Sequence, residues 1–205
     1  MATLRNIIFD LGGVLLNIDY NKTAEAFAGL GLTDFKSMYG QFSADDLFEK
    51  LETGHVTQEE FYDVLQSRHH TLTPESVTIA WNAMVLDFRL DSLQFLGKLS
   101  KKYNLYLLSN TNVIHKTHFD SLFTKEIGGG SIDDYFKKAY YSHLIGYRKP
   151  NSDIFHFVLN DAGILAEETL FIDDSINNIE AAALVGIKTH LLAPDEQIER
   201  LGVLT

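Results

Sequence analysis

Apolar residues along the chain gather into short runs that stop at polar ones: Ile7-Ile8-Phe9 before Asp10, Leu105 to Leu108 before Ser109, and Leu170-Phe171-Ile172 before Asp173. Unbroken runs this short fit strands buried on both faces of a parallel sheet. Lys138 to Ser142 and Lys188 to Leu192 predict two more strands. Helical patterns with start signals lie between them, over Asp91 to Tyr103, Asn151 to Ala162 and Ser175 to Val185. Strand followed by helix, repeated, predicts an α/β fold with a parallel sheet.

Residues 18–89 break this rhythm. No strand pattern stands out there, and helix starts recur. Thr57 with Glu60 forms a capping box, and Thr73 precedes Pro74 at a first helical position. Asn21 and Ser43 are weaker starts of the same kind. The expected organisation is therefore an α/β core from residues 1–17 and 90–205, with an all-helical cap, residues 18–89, inserted after the first strand.

Composition removes several classes of function. Seventeen Lys and Arg against 28 Asp and Glu give a net charge of -11, which repels nucleic-acid backbones and anionic membrane surfaces. Neither nucleic acid nor membrane is an expected partner. The chain has no cysteine, so thiolate metal sites, disulfide scaffolds and cysteine nucleophiles are excluded. No stretch approaches the ~18 apolar residues of a membrane span, so a soluble, cytoplasmic protein is expected.

Ligands of open α/β sheets sit at the carboxyl ends of the strands, which directs attention to Asp10, Ser109, Asn110, Asp173 and Asp174. Lys149, in the loop Gly146-Tyr-Arg-Lys-Pro150, joins them after the fourth predicted strand. Carboxylates gathered without a partner repel one another, so this set needs a cation to stay ionised. Oxygen-only ligands favour Mg²⁺ held together with a substrate phosphate. A hydroxyl at Ser109 and an ammonium at Lys149 complete the parts of a phosphoryl-transfer site.

These four segments together resemble the motifs of the haloacid dehalogenase superfamily: Phe9-Asp-Leu-Gly-Gly-Val14, Leu107-Leu-Ser-Asn-Thr-Asn112, Arg148-Lys-Pro150 and Phe171-Ile-Asp-Asp-Ser175. With His115, the second of them is most similar to the bacterial α-glucose-1-phosphate phosphatase branch. The resemblance implies a Rossmann-like core under a cap, and catalysis by Asp10 as the nucleophile that becomes an aspartyl phosphate. It implies Mg²⁺ held by Asp10, the Gly12 carbonyl, Asp173 and Asp174. Ser109, Asn110 and His115 are then substrate or phosphate contacts, and Lys149 orients Asp10.

One position departs from the superfamily pattern, because Gly12 stands where most of its phosphatases carry a second Asp as general acid and base. Such help is typically worth ~10² to 10⁴ in rate. A leaving group more acidic than an ordinary alcohol suffers less from the loss, which directs the expectation to a sugar 1-phosphate such as glucose 1-phosphate, with a water, Asp19 or His115 as stand-in acid. The alternatives are a broad phosphatase for nucleotide or flavin-type monophosphates and a non-catalytic phosphate-binding protein. Tyr20, Phe42 and Trp81 are the residues expected to face substrate from the cap.

Overall fold

The computed structural model describes residues 3–40 and 43–204. Its centre is strand β1 (Asn6–Phe9), and two short pairs of strands follow before the sheet resumes: β2 (Leu16–Ile18) with β5 (Val85–Phe88), and β3 (Tyr39–Gly40) with β4 (Ser43–Ala44). The sheet continues with β6 (Asn104–Ser109), β7 (Lys138–Tyr141), β8 (Thr169–Asp173) and β9 (Lys188–Leu191). Five strands pair in parallel in the order β7-β6-β1-β8-β9. The chain leaves β1 toward β6 and leaves β8 toward β9, on opposite sides. The resulting crevice lies at the carboxyl ends of β1 and β8, where α/β sheets place their ligands.

Side chains of these strands alternate between two buried faces. Ile7, Phe9, Leu105, Leu107, Leu170 and Ile172 enter one apolar cluster, whereas Ile8, Tyr106, Leu108 and Phe171 enter the other. Burial on both sides is the reason that the runs read as continuous rather than alternating. Helices α6 (Leu90–Leu99), α7 (Val113–Ile127), α8 (Ser142–Ile145), α9 (Ser152–Ala162) and α10 (Ile176–Leu184) accompany the sheet, counted after the five helices of the insert.

Those five are α1 (Tyr20–Gly29), α2 (Phe35–Met38), α3 (Asp46–Glu52), α4 (Gln58–Arg68) and α5 (Pro74–Asn82). The insert buries its own apolar cluster, with Trp81 fully enclosed by Phe35, Tyr39, Phe48 and Phe61. Ile114 of α7 joins the same cluster, so the insert's core includes a residue of the α/β body.

The segment is not all-helical. The β2–β5 ribbon spans its two ends, and β3–β4 is a small hairpin within it. Strands of two to four residues are too short to show a period in sequence. The capping boxes at Thr57 and Thr73 form, the latter with Ser76. The weaker starts shift: Asp19 caps α1 rather than Asn21, and Asp45 caps α3 while Ser43 sits in β4.

Candidate active site

Asp10 follows the last residue of β1, and Asp173 ends β8 with Asp174 next to it. The parallel register sets Phe9 beside Ile172, so the two strands deliver their acids side by side. Ligand oxygens of Asp10, Asp173 and Asp174 all lie within 4.8 Å of one another. Lys149 is only 1% exposed, and its Nζ lies 2.8 Å from Asp10 Oδ1 and 2.7 Å from Asp173 Oδ2, while donating to the Leu108 carbonyl at 2.9 Å. One buried ammonium therefore ties three strand ends together.

The two adjacent acids are placed differently. Asp173 is fully buried and heavily engaged: Oδ1 accepts from the Ser175 amide at 2.8 Å, and the Asn178 amide donates to both oxygens at 3.0 Å. Asp174 lines the pocket, against the backbone of Gly13. A Cβ added at Gly13, whose φ is +73°, would sit 2.3 Å from Asp174 Oδ2, so only glycine permits this approach. Burial pushes Asp10 up to about 7 against the pull of Lys149, and pushes Asp174 up to about 6 with the Asp173 charge adding to it. A cluster of three carboxylates in which burial resists the ionisation of Asp10 and Asp174 is suited to a hard divalent cation.

Ser109, the last residue of β6, is buried beside Asp10 in the same pocket. The side chain of Asn110 clamps the main chain of Lys149, its Nδ2 donating to the Lys149 carbonyl at 2.8 Å and its Oδ1 accepting from the Lys149 amide at 2.9 Å. Both ends of that amide thus serve to hold the lysine loop. Gly12 lies in the turn after Asp10 and lines the pocket without contributing a carboxyl.

His115 also lines the pocket, in a form that sequence does not disclose. Its Nδ1 lies 2.9 Å from Asn82 Oδ1, an atom that can only accept, so Nδ1 carries the proton. Burial then holds the ring neutral, lowering its pKa from 6.5 to about 3, and the buried Nε2 has no hydrogen-bond partner among the described residues. His115 is an acceptor here and cannot be the stand-in acid. Asp19 is spent on capping α1, where it accepts from the Asn21 amide.

Of the residues expected to face substrate, Tyr20 lines the pocket. Trp81 does not; it is fully buried behind His115, with the two rings stacked 4.5 Å apart. Phe42 lies outside the described residues. Sequence reasoning missed Glu52, Tyr39 and Arg148 as pocket residues. Glu52 carried a signal: with Leu47, Phe48 and Leu51 it falls on the buried face of α3, where a carboxylate is out of place.

Residues 4–186 match the haloacid dehalogenase-like hydrolase family, and the chain belongs to that family. It is 35% identical over 188 residues to a D-ribitol-5-phosphate phosphatase from Bacteroides thetaiotaomicron, covering 91% of this chain and 90% of the relative. A solved mutant of a HAD family enzyme from the same organism, in complex with magnesium and inorganic phosphate, superposes with a TM-score of 0.89 at 34% identity, covering 95% of this chain and 96% of that one. A HAD-like family hydrolase from Porphyromonas gingivalis gives 0.86 at 33% identity, over 95% of this chain and 94% of the other. The chain is thus a HAD-type hydrolase, and among its described residues no helix is long and apolar enough to cross a membrane.

Proposed function

We propose that this hydrolase is a Mg²⁺-dependent phosphatase for a small polyhydroxylated metabolite, acting through an aspartyl phosphate on Asp10. The observation that carries the reading is the cluster of Asp10, Asp173 and Asp174 about Lys149 at the crevice of the sheet, with Asp10, Lys149 and Asp174 lining one pocket. In this reading Asp10, the Gly12 carbonyl and Asp174 hold the ion, with Asp173 in the same oxygen cluster and also anchoring Lys149 and the start of α10. Magnesium and inorganic phosphate in the solved relative support a site for a divalent ion and a phosphoryl group. When bound, the ion supplies charge neutralisation for the phosphoryl oxygens.

Lys149 fixes the Asp10 carboxylate, which attacks phosphorus; the Asp10–phosphorus bond forms as the ester oxygen leaves and takes a proton from water. Ser109 donates a hydrogen bond to the phosphoryl group. Water then cleaves the acyl phosphate, releasing inorganic phosphate and restoring the carboxylate. Residues 18–89 act as the cap that closes the pocket over the leaving group, and His115 Nε2 accepts from one of its hydroxyls.

The substrate class rests on two considerations. Gly12 favours a good leaving group, as in glucose 1-phosphate, whereas the D-ribitol-5-phosphate phosphatase relative points to the ester of a primary alcohol. Both esters carry hydroxyls next to the phosphate. The test is steady-state phosphate release from these two compounds and from a nucleoside monophosphate, with Mg²⁺ or EDTA, by the native chain and by Asp10→Asn. Turnover that requires Mg²⁺, falls at least ~10³-fold in Asp10→Asn and prefers a sugar or sugar-alcohol phosphate is the expected result. Equal turnover by Asp10→Asn, or a preference for the nucleotide, refutes the reading.

A further inference from the structure

The pocket wall away from Asp10 holds an ion pair that the chemistry above does not use. Glu52, at the end of α3 in the insert, is 3% exposed; it accepts from the Tyr39 hydroxyl at 2.7 Å and lies 2.9 Å from an Arg148 terminal nitrogen. All three residues line the same pocket as Asp10, beside the apolar side chains of Leu16, Ile18, Met84 and Val85. Arg148 Nε is buried and has no hydrogen-bond partner among the described residues. Arg148 immediately precedes Lys149 in the chain.

We infer that Glu52, with Tyr39 and Arg148, is the specificity-determining element of this pocket and reads hydroxyl groups on the leaving-group side of the substrate. The inference deepens the phosphatase reading and rests on it. Three arguments support it. A buried ion pair is weak evidence for stability, since its desolvation offsets most of its attraction, so this one calls for another role. The cluster also offers both kinds of hydrogen bond: Arg148 only donates, the Glu52 carboxylate only accepts, and the Tyr39 oxygen has lone pairs left over. Glu52 and Arg148 cancel in charge, so the wall suits a neutral group that donates and accepts, which is what a polyol presents, and offers a second anionic group no surplus cation.

The position of Glu52 is set from outside the pocket. Two residues on, Gly54 has a φ of +70° and packs so closely on α8 that a Cβ there would lie 2.3 Å from the His143 carbonyl oxygen. This contact docks the end of α3 on the α/β body. The carboxylate is thereby held where an Arg of the body meets it, rather than swinging with a free helix end. Burial raises the pKa of Glu52 and Arg148 opposes that rise, so the pair is sensitive to whatever enters the pocket.

The test compares kcat/KM for D-ribitol 5-phosphate with that for p-nitrophenyl phosphate, an ester whose leaving group has no hydroxyls, in the native protein, Glu52→Gln and Tyr39→Phe. The ratio is expected to fall at least 10-fold in Glu52→Gln and about 3- to 10-fold in Tyr39→Phe, because a site built around hydroxyls discriminates through the groups left unpaired. A merely structural role lowers both rates together, so ratios within 2-fold of native overturn the inference. Tyr39→Phe, which removes a single hydroxyl, keeps the test decisive where Glu52→Gln fails to fold. A native protein that hydrolyses p-nitrophenyl phosphate but no polyol phosphate overturns the inference and the polyhydroxylated substrate class while leaving the phosphatase chemistry standing, and one that hydrolyses neither overturns the phosphatase reading with it.

Discussion

Holding His115 neutral inside the pocket has a cost that appears on acidification. In an unfolded chain the imidazole titrates near 6.5, whereas in the folded protein burial lowers it to about 3. A depressed base loses stability as pH falls through the unfolded value, because only the unfolded state takes up the proton. At pH 4.5 the two pKa values give a loss of about 3 kcal/mol relative to neutral pH. Asp10 and Asp174 act in the opposite sense: their pKa values are raised, to about 7 and about 6, so metal-free protein gains stability from them as pH falls. The native profile alone is therefore a mixture. His115→Asn isolates the histidine, since its amide can donate to Asn82 in place of Nδ1 and carries no charge at any pH used. Urea unfolding of metal-free native and variant protein at pH 7.5 and 4.5, followed by circular dichroism, is expected to show the native protein losing about 2 to 3 kcal/mol more than the variant. Parallel pH profiles in the two proteins would refute the neutral, buried tautomer.

Lys149→Met leaves Asp10 and Asp173 without their shared cation, and breaking such a buried pair is expected to cost about 3 to 5 kcal/mol in urea unfolding at pH 8 without metal. Added Mg²⁺ should recover part of that loss, and a loss under about 1 kcal/mol would show that the ammonium does not hold the cluster together. Gly13→Ala drives a methyl against Asp174, where a Cβ has only 2.3 Å to Oδ2. The Mg²⁺ concentration for half-maximal phosphate release is expected to rise about 10- to 100-fold, and an unchanged value would remove Asp174 from the ion's shell.

The three central strands were legible in the sequence because burial on both faces leaves continuous apolar runs, and these ended at Asp10, Ser109 and Asp173. The small ribbons were not, since Val85–Phe88 and Tyr39–Gly40 are set by partners distant in sequence rather than by a local period. Position in the chain also located Asp10, Lys149 and Asp174, but not what their neighbours do. The different surroundings of Asp173 and Asp174 depend on Lys149, Ser175 and Asn178 closing around the first of them. Asn110 is similar: a polar residue at a strand end reads as a ligand contact, and only the fold shows its amide committed to the Lys149 main chain. His115 was marked by its place after the second motif, while its tautomer comes from Asn82, supplied by the insert.

The stacking of Trp81 on His115 gives this protein a built-in optical probe. Trp81 is the chain's single tryptophan, so its emission has one origin. The indole is shielded from solvent and reaches the pocket through His115 and Tyr39, both of which pack against it, so it registers what happens to those two rings. A compound that hydrogen-bonds to Nε2 alters the partner of the excited indole without touching the indole itself. Occupancy of the leaving-group side can thus be followed by fluorescence with unlabelled protein and unmodified esters.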